Sequence, residues 1–164
     1  MAALLFLVAF FCTSGWASRI SAGLHMGIRT LSDEYLNTVY GSGYVIIPYV
    51  QFVMAKWFSV EAAYEGGYKK SAPIGMYEEA STLRISGWEF SGILHYSIRW
   101  LVPYLKFGAG YYSYKQEIES PFVPFKVDHH QTSFHFGAGS HVFVSNLVYL
   151  GAEVKYVMLK VRPF

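Results

Sequence analysis

The chain has 164 residues, room for one domain. Charged residues make up 15% of it, against about 25% in an ordinary soluble domain, and aromatic residues reach 19%. The net charge of +2 comes without a Lys/Arg cluster, which argues against nucleic acid as a partner. Beyond the N-terminus no apolar run approaches the roughly 18 residues of a spanning helix, so this composition enters a membrane only as strands.

The N-terminal run "ALLFLVAFFC" is followed by "TSGWAS", which puts Gly15 and Ala17 at the −3 and −1 positions of a small-residue cleavage site. Residues 1–17 read as a secretory signal peptide cut after Ala17, although no Lys or Arg precedes the apolar run. The run is too short for a permanent anchor. Cys12, the single cysteine, lies inside it, and Phe11 before it is not the small residue that lipid attachment needs.

Seven strand-like segments follow. "ISAGLHMGIR" (20–29) sets Leu24, Met26 and Ile28 against Gly23, His25 and Gly27. In the link "TLSDEYLNTVYGSG", Ser32 is placed to cap a short helical turn that Gly41 stops. "YVIIPYVQFVM" (44–54) joins "FSVEAAYEGGY" (58–68) by a tight turn at Ala55–Trp57. A longer link leads to the fourth strand, from about Thr82 to Ile98, and a turn at Arg99–Leu101 to "VPYLKFGAGYYSYK" (102–115). A third long link precedes "TSFHFGAGSHVFV" (132–144), which turns at Ser145–Asn146 into "YLGAEVKYVMLKVRPF". Long and short connections alternate throughout, as in a membrane barrel with short periplasmic turns and long outer loops.

The strands have one greasy and one polar face. Phe58, Val60, Ala62, Tyr64 and Tyr68 oppose Ser59, Glu61, Ala63, Glu65 and Gly67; Trp88, Phe90 and Leu94 oppose Glu89, Ser91 and His95; Leu105, Phe107 and Tyr111 oppose Lys106, Gly108 and Tyr112. The polar face is rich in Gly and Ser and holds few charges, of both signs, too few for a solvated surface but able to neutralise one another in a narrow lumen. It is expected to hold a network of Glu61, Glu65, Glu89, His95, Lys106, His135, His141, Glu153 and Lys155. Trp57, Trp100, Tyr104, Tyr111 and Tyr112 bunch near strand ends, where interfacial girdles sit. The fold class is therefore all-β, an antiparallel up-and-down transmembrane barrel, with residues 18–164 as its domain.

On the signal peptide, "WFSVEAAYEGGY", "VPYLKFGAGYYSYK" and "SFHFGAGSHVFVSNLVYLGAEVKYVMLKV", the chain resembles the small eight-stranded outer-membrane β-barrels of the OmpX/OmpW-like and OmpA transmembrane-domain type. The likeness covers essentially the whole mature chain and is one of pattern. It implies the outer membrane of a Gram-negative envelope, with membrane lipid, lipopolysaccharide and the outer-membrane assembly machinery as partners. It also implies an even strand number. Seven strands are present; Lys160 and Arg162 alternate before Phe164 and Pro163 lacks a ladder donor, so "LKVRPF" reads as the top of the seventh strand, and an eighth is expected beyond it.

Two constellations bear on chemistry. His95 and Ser97 with Glu89 have the spacing of a hydrolase pair on a strand, as in lipid A deacylases of outer membranes, but the parity points them into the lumen near the periplasmic end, and Ile98 and Arg99 follow where that family has Asn. The bland reading joins Glu89, His95 and Arg99 to Lys106 by hydrogen bonds. Asp128, His129 and His130 are adjacent in a loop, and neighbouring side chains of extended backbone diverge, so no metal site is expected, nor any cofactor. Eight strands leave a lumen that side chains fill. The expected function is non-enzymatic: envelope structure or surface interaction through loops at 30–43, 69–81 and 116–131. The alternative is a small OmpW-like barrel that binds or passes a hydrophobic small molecule; a lipid A deacylase or a soluble carrier barrel stands behind both.

Overall fold

Strands that are apolar on one face and paired on both edges can close on themselves, and closure leaves no unsatisfied backbone edge. The computed structural model describes residues 2–9, 20–31, 34–74, 78–119, 125–143 and 149–158. It is a closed barrel of antiparallel strands in sequence order. These are β1 (Ala2–Ala9), β2 (Ile20–Arg29), β3 (Gly43–Ala55), β4 (Phe58–Ile74), β5 (Glu79–His95), β6 (Leu101–Glu119), β7 (Phe125–Phe143) and β8 (Tyr149–Val157), with one helix, α1 (Glu34–Tyr40), between β2 and β3.

The seven strands legible in the sequence are β2 to β8. The strand that completes the circle is β1, from the apolar run read as a leader; it pairs with β8 from Ala2↔Val157 to Ala9↔Leu150 and with β2 only at Leu4↔Arg29 and Leu5↔Ile28. Without it the edges of β2 and β8 would stand open. Ser32, the turn at Ser145–Asn146, Cys12, the Ala17 cleavage site and the stretch from 159 to Phe164 lie outside the described residues.

The exterior is apolar. Phe90 (64% exposed), Phe134 (68%), Phe136, Phe107, Val154, Val50 and Trp88 all face outward, while Glu65, Glu89, Lys106, Lys155 and Arg29 are buried. This inverts the arrangement of a water-soluble barrel. The outward apolar run on β5 and its turn, from Trp88 to Ile98, rises roughly 25 Å at about 3.3 Å per residue and a tilt near 40°, the height of an outer-membrane band.

At the inner end the described turns, β3–β4 and β5–β6, are tight: Ile98 and Leu101 exchange backbone hydrogen bonds of 2.7 and 2.9 Å around Arg99, whose φ is +53°. At the outer end two expected loops are strand instead. The segments 69–81 and 116–131 are largely the paired ends of β4–β5 and β6–β7, which run in register to Ile74↔Glu79 and Ile118↔Phe125. Among the described residues of these links, only 30–43 carries a helix, α1.

The sequence parity of β4 also fails at one point. Tyr68, expected on the outer face, is fully buried. The register with β5 shifts between Glu65↔Gly87 and Tyr68↔Ile85, so Gly66 and Gly67 together oppose Ser86 in a β-bulge, with Gly67 at φ +91°. That extra residue turns Tyr68 inward and Lys69 outward. A Cβ on Gly67 would meet nothing nearer than 3.5 Å, so the obstacle to a side chain there is the backbone angle, not space. Gly67→Ala is expected to lower unfolding stability by roughly 1–3 kcal/mol in a urea titration of the folded protein in micelles; an unchanged midpoint would mean that the bulge does not set this register.

Candidate functional site

The lumen is built by residues of the polar strand faces. At the inner end, Tyr104 on β6 donates to Glu153 Oε2 (2.8 Å) and stacks on His141 at 4.5 Å between ring centres. Next, Lys106 Nζ lies 2.6 Å from Glu61 and 3.6 Å from Glu153. In the middle, Lys155 Nζ reaches both oxygens of Glu89 (2.6 and 2.9 Å) and Glu65 Oε2 (3.1 Å). Tyr112 donates to Glu89, and Ser91 pairs with His135 Nε2 at 2.8 Å. Above these, Arg29 meets Glu65 Oε1 at 2.8 Å and lies 5.6 Å over the Tyr112 ring. His25 stands edge-on to Tyr49. Three cations and four carboxylates, all buried, thus share one lattice.

Small residues make this filling possible. A Cβ on Gly110 would lie 2.6 Å from the Tyr112 ring, and one on Gly139 would lie 2.6 Å from Tyr104. The repeated "GAG" is room for large neighbours, not a phosphate loop.

Over the lattice sits an apolar plug. Leu31, Leu36 and Tyr40, from α1 and the residues before it, pack with Val45, Ile47, Tyr68, Leu83 and Ile85. Tyr68 donates to the Gly41 carbonyl (2.9 Å), and Tyr40 and Ser81 hydroxyls meet at 2.6 Å. The outer mouth is covered by this cluster.

Of the expected lumenal residues, Glu61, Glu65, Glu89, Lys106, His135, Glu153 and Lys155 are buried in the barrel, and His95 and His141 are half-buried near its inner end. Arg29 was missed, although it continues the His25 face of β2. Arg99 is exposed in its turn and does not join the lattice. Trp57 and Trp100 are exposed in the inner turns, at 61% and 62%, and Tyr111 is exposed on the outward face of β6, at 55%. Tyr104 and Tyr112, grouped with them as interfacial, are instead buried lumenal hydrogen-bond donors at 5% and 1% exposure. Their parity with Lys106 signalled this; proximity to a strand end misled.

Ser97 lies exposed past the end of β5, so it does not share a strand face with His95 and Glu89. Asp128 and His130 are on the outer face of β7, with His130 Nε2 3.4 Å from Asp128 and its ring stacked on Tyr111. Among the described residues no three His, Cys, Asp or Glu side chains converge as metal ligands. A hydrogen bond from Lys115, 2.9 Å away, holds the exposed Asp128 carboxyl below the usual aspartate range.

An apolar exterior and a charged and filled interior describe a barrel that lives in lipid. Residues 2–161 match the outer membrane protein beta-barrel domain. The chain belongs to that family. The family places it in the bacterial outer membrane. A solved structure of Ail, the attachment invasion locus protein of Yersinia pestis, in complex with the heparin analogue sucrose octasulfate, is similar at 10% identity and a TM-score of 0.47, over 95% of this chain and 96% of that one. No curated protein sequence matches.

The lattice makes a direct energetic prediction for this family member. Lys155→Met leaves Glu89 and Glu65 buried with one cation fewer, and is expected to cost roughly 3–5 kcal/mol in urea unfolding from lipid vesicles. Adding Glu89→Gln removes the stranded charge and keeps an acceptor for Tyr112, so the double variant should recover much of the loss. Strictly additive losses would show that Lys155 and Glu89 do not act as a pair.

Proposed function

We propose that this barrel is a non-enzymatic outer-membrane protein that works in envelope structure or surface interaction through what it raises above the outer leaflet. The observation that carries this reading is the combination of a blocked lumen and an extended outer sheet. Buried ion pairs fill the bore and the α1 cluster covers its mouth, so diffusion through the centre has no path. Meanwhile β4 to β7 continue outward as a paired sheet, from Ser86↔Ser113 to Ala80↔Glu119 between β5 and β6. Its polarity is the reverse of the membrane part: Arg84, Lys115 and Asp128 face out, and Leu83, Ile85 and Tyr68 face in. Such a sheet is built to stand in water and present a surface.

The second reading, passage of a hydrophobic molecule into the membrane, is favoured by one feature. A groove on the lipid face runs over Gly92 between Phe52, Phe58, Phe90 and Phe107. Vesicles carrying the full chain separate the readings. The first expects no swelling with small sugars and no accelerated entry of a fluorescent fatty acid, together with loss of cell-to-cell adherence when the β4–β5 and β6–β7 hairpins are shortened. Accelerated fatty-acid entry would favour the second, and sugar flux would overturn both.

We further infer that residues 1–17 serve as a secretory leader. Support comes from the run itself, which has no polar alternation: Leu4 occupies the register position beside Arg29 and Lys155, and Phe6 the one beside Glu153. The N-terminal sequence of protein extracted from outer membranes is expected to begin at Ser18, which leaves the edges of β2 and β8 to be paired by something other than β1; a chain beginning at Met1 or Ala2 would overturn the leader and retain β1 as the strand that closes the barrel.

A further inference from the structure

The ion pairs of the bore do not balance, and the shortfall lies in its inner half. In the outer half Arg29 and Lys155 face Glu65 and Glu89, two cations for two carboxylates. In the inner half Lys106 alone faces two, with Glu61 Oε1 at 2.6 Å and Glu153 Oε1 at 3.6 Å. Glu61, Lys106 and Glu153 are all out of water, at 5%, 2% and 2% exposure. A buried carboxylate without a cation carries a heavy desolvation penalty, and two carboxylates that share one lysine do not both escape it.

Among the described residues, the walls around this trio supply hydrogen bonds but no second cation. Gln51 on β3 and Ser91 on β5 stand directly opposite Glu61, yet Gln51 donates to Ser59 (2.7 Å) and Ser91 pairs with His135 (2.8 Å). Glu153 lies opposite Gly139 on β7 and Phe6 on β1, and its Oε2 accepts from Tyr104 on β6 at 2.8 Å. Three lumenal histidines complete the ring. His25 on β2 has Lys106 and Lys155 as charged neighbours besides Glu89, so a proton there would stand beside two cations. His135 on β7 is nearest in charge to Glu89, which Lys155 and Tyr112 already hold. His141, also on β7, stacks on Tyr104 and has Glu153, Lys106 and His95 of β5 around it, which makes it the rival seat for a proton.

We propose that Glu61 and Glu153 share one proton, so that the inner half of the bore is a proton-binding site built from a carboxyl, a lysine and a carboxylate. With that proton the bore holds three cations and three carboxylates. The proton belongs to the pair rather than to either residue, as it does in any two carboxyls coupled through so short a path. Exchange with solvent runs through the inner mouth, where Tyr104 stands opposite His95 and both His95 and His141 are half-buried. Removal of the proton in alkali leaves one net negative charge inside the barrel.

The full chain folded in micelles gives two readouts. Its infrared spectrum at neutral pH should contain the carbonyl band of a protonated carboxyl, which an ordinary Glu does not show at that pH. Glu61→Gln and Glu153→Gln should each remove the band, and His141→Gln should leave it. In thermal unfolding each single Glu variant should match the parent or exceed it, because Gln replaces a carboxyl that is already neutral in the shared state. The double variant strands Lys106 and should unfold roughly 10 °C lower. As the pH rises above neutral the parent should lose stability relative to Glu61→Gln, since the folded bore holds a proton that the unfolded chain has released. No band in the parent, a band that survives both single Glu variants, or single Glu variants that each unfold well below the parent would overturn the site. An absent band together with a lower unfolding temperature for His141→Gln would put the proton on the imidazole and overturn the carboxyl pair as its seat.

Discussion

The structure depends on buried charges that are paired inside a wall that is oil outside. Each ion taken from water costs several kcal/mol, and the cost is met only where geometry is tight and the remaining polar atoms are satisfied. Arg29 comes from β2, Glu61 and Glu65 from β4, Glu89 from β5, Lys106 from β6, and Glu153 and Lys155 from β8, so the lattice ties strands around most of the circumference. It also fixes register. A slip of one residue in any of these strands would turn its charge toward lipid and an apolar side chain toward the lattice. One set of contacts thereby blocks the bore and specifies the pairing.

Above the membrane edge the same sheet changes its solvent, and the side chains change with it. Below Ser86 the outward residues of β5 are Trp88, Phe90 and Leu94; above it they are Arg84 and Thr82. On β4 the change coincides with the Gly66–Gly67 bulge, which adds a residue so that Tyr68 enters the plug and Lys69 leaves it. α1 completes the enclosure by laying Leu36 and Tyr40 over the inward side of the outer sheet. The bulge and the helix are thus parts of one device, a lid of apolar side chains over an ionic bore. What remains for interaction is the outward side of the sheet.

The membrane part of this arrangement was legible in the sequence because period-two alternation is a strong signal when both faces are chemically distinct. The faces of residues 58–65, 88–95 and 105–112 follow from it, and the buried positions of Glu61, Glu89 and Lys106 follow from the faces. Three things were not legible. Two adjacent glycines in "EGGYKK" do not announce which of them takes a positive φ, so the parity of Tyr68 was carried one residue too far. The hairpin ends of β4–β5 and β6–β7 looked like loops because their polarity is inverted relative to the strands below, and a pattern that reverses mid-strand reads as a pattern that stops. The run Ala2–Ala9 has no alternation at all, so nothing marked it as a strand; only the open edges of β2 and β8 give it a place in the circle. Arg29 is a different case, since its parity with His25 was available.

The most direct test of the account is a map of which side chains touch lipid. Single cysteines, introduced one at a time in a Cys12→Ser background and labelled with a fluorophore, are reconstituted into vesicles whose acyl chains carry bromine. An inside-out barrel requires strong quenching at positions 90, 107 and 136 and little at 91, 112 and 135, inward-facing positions of the same strands. Quenching at the second set rather than the first, or no alternation between them, would contradict an inside-out barrel and the ionic lattice on which the rest of the structure depends.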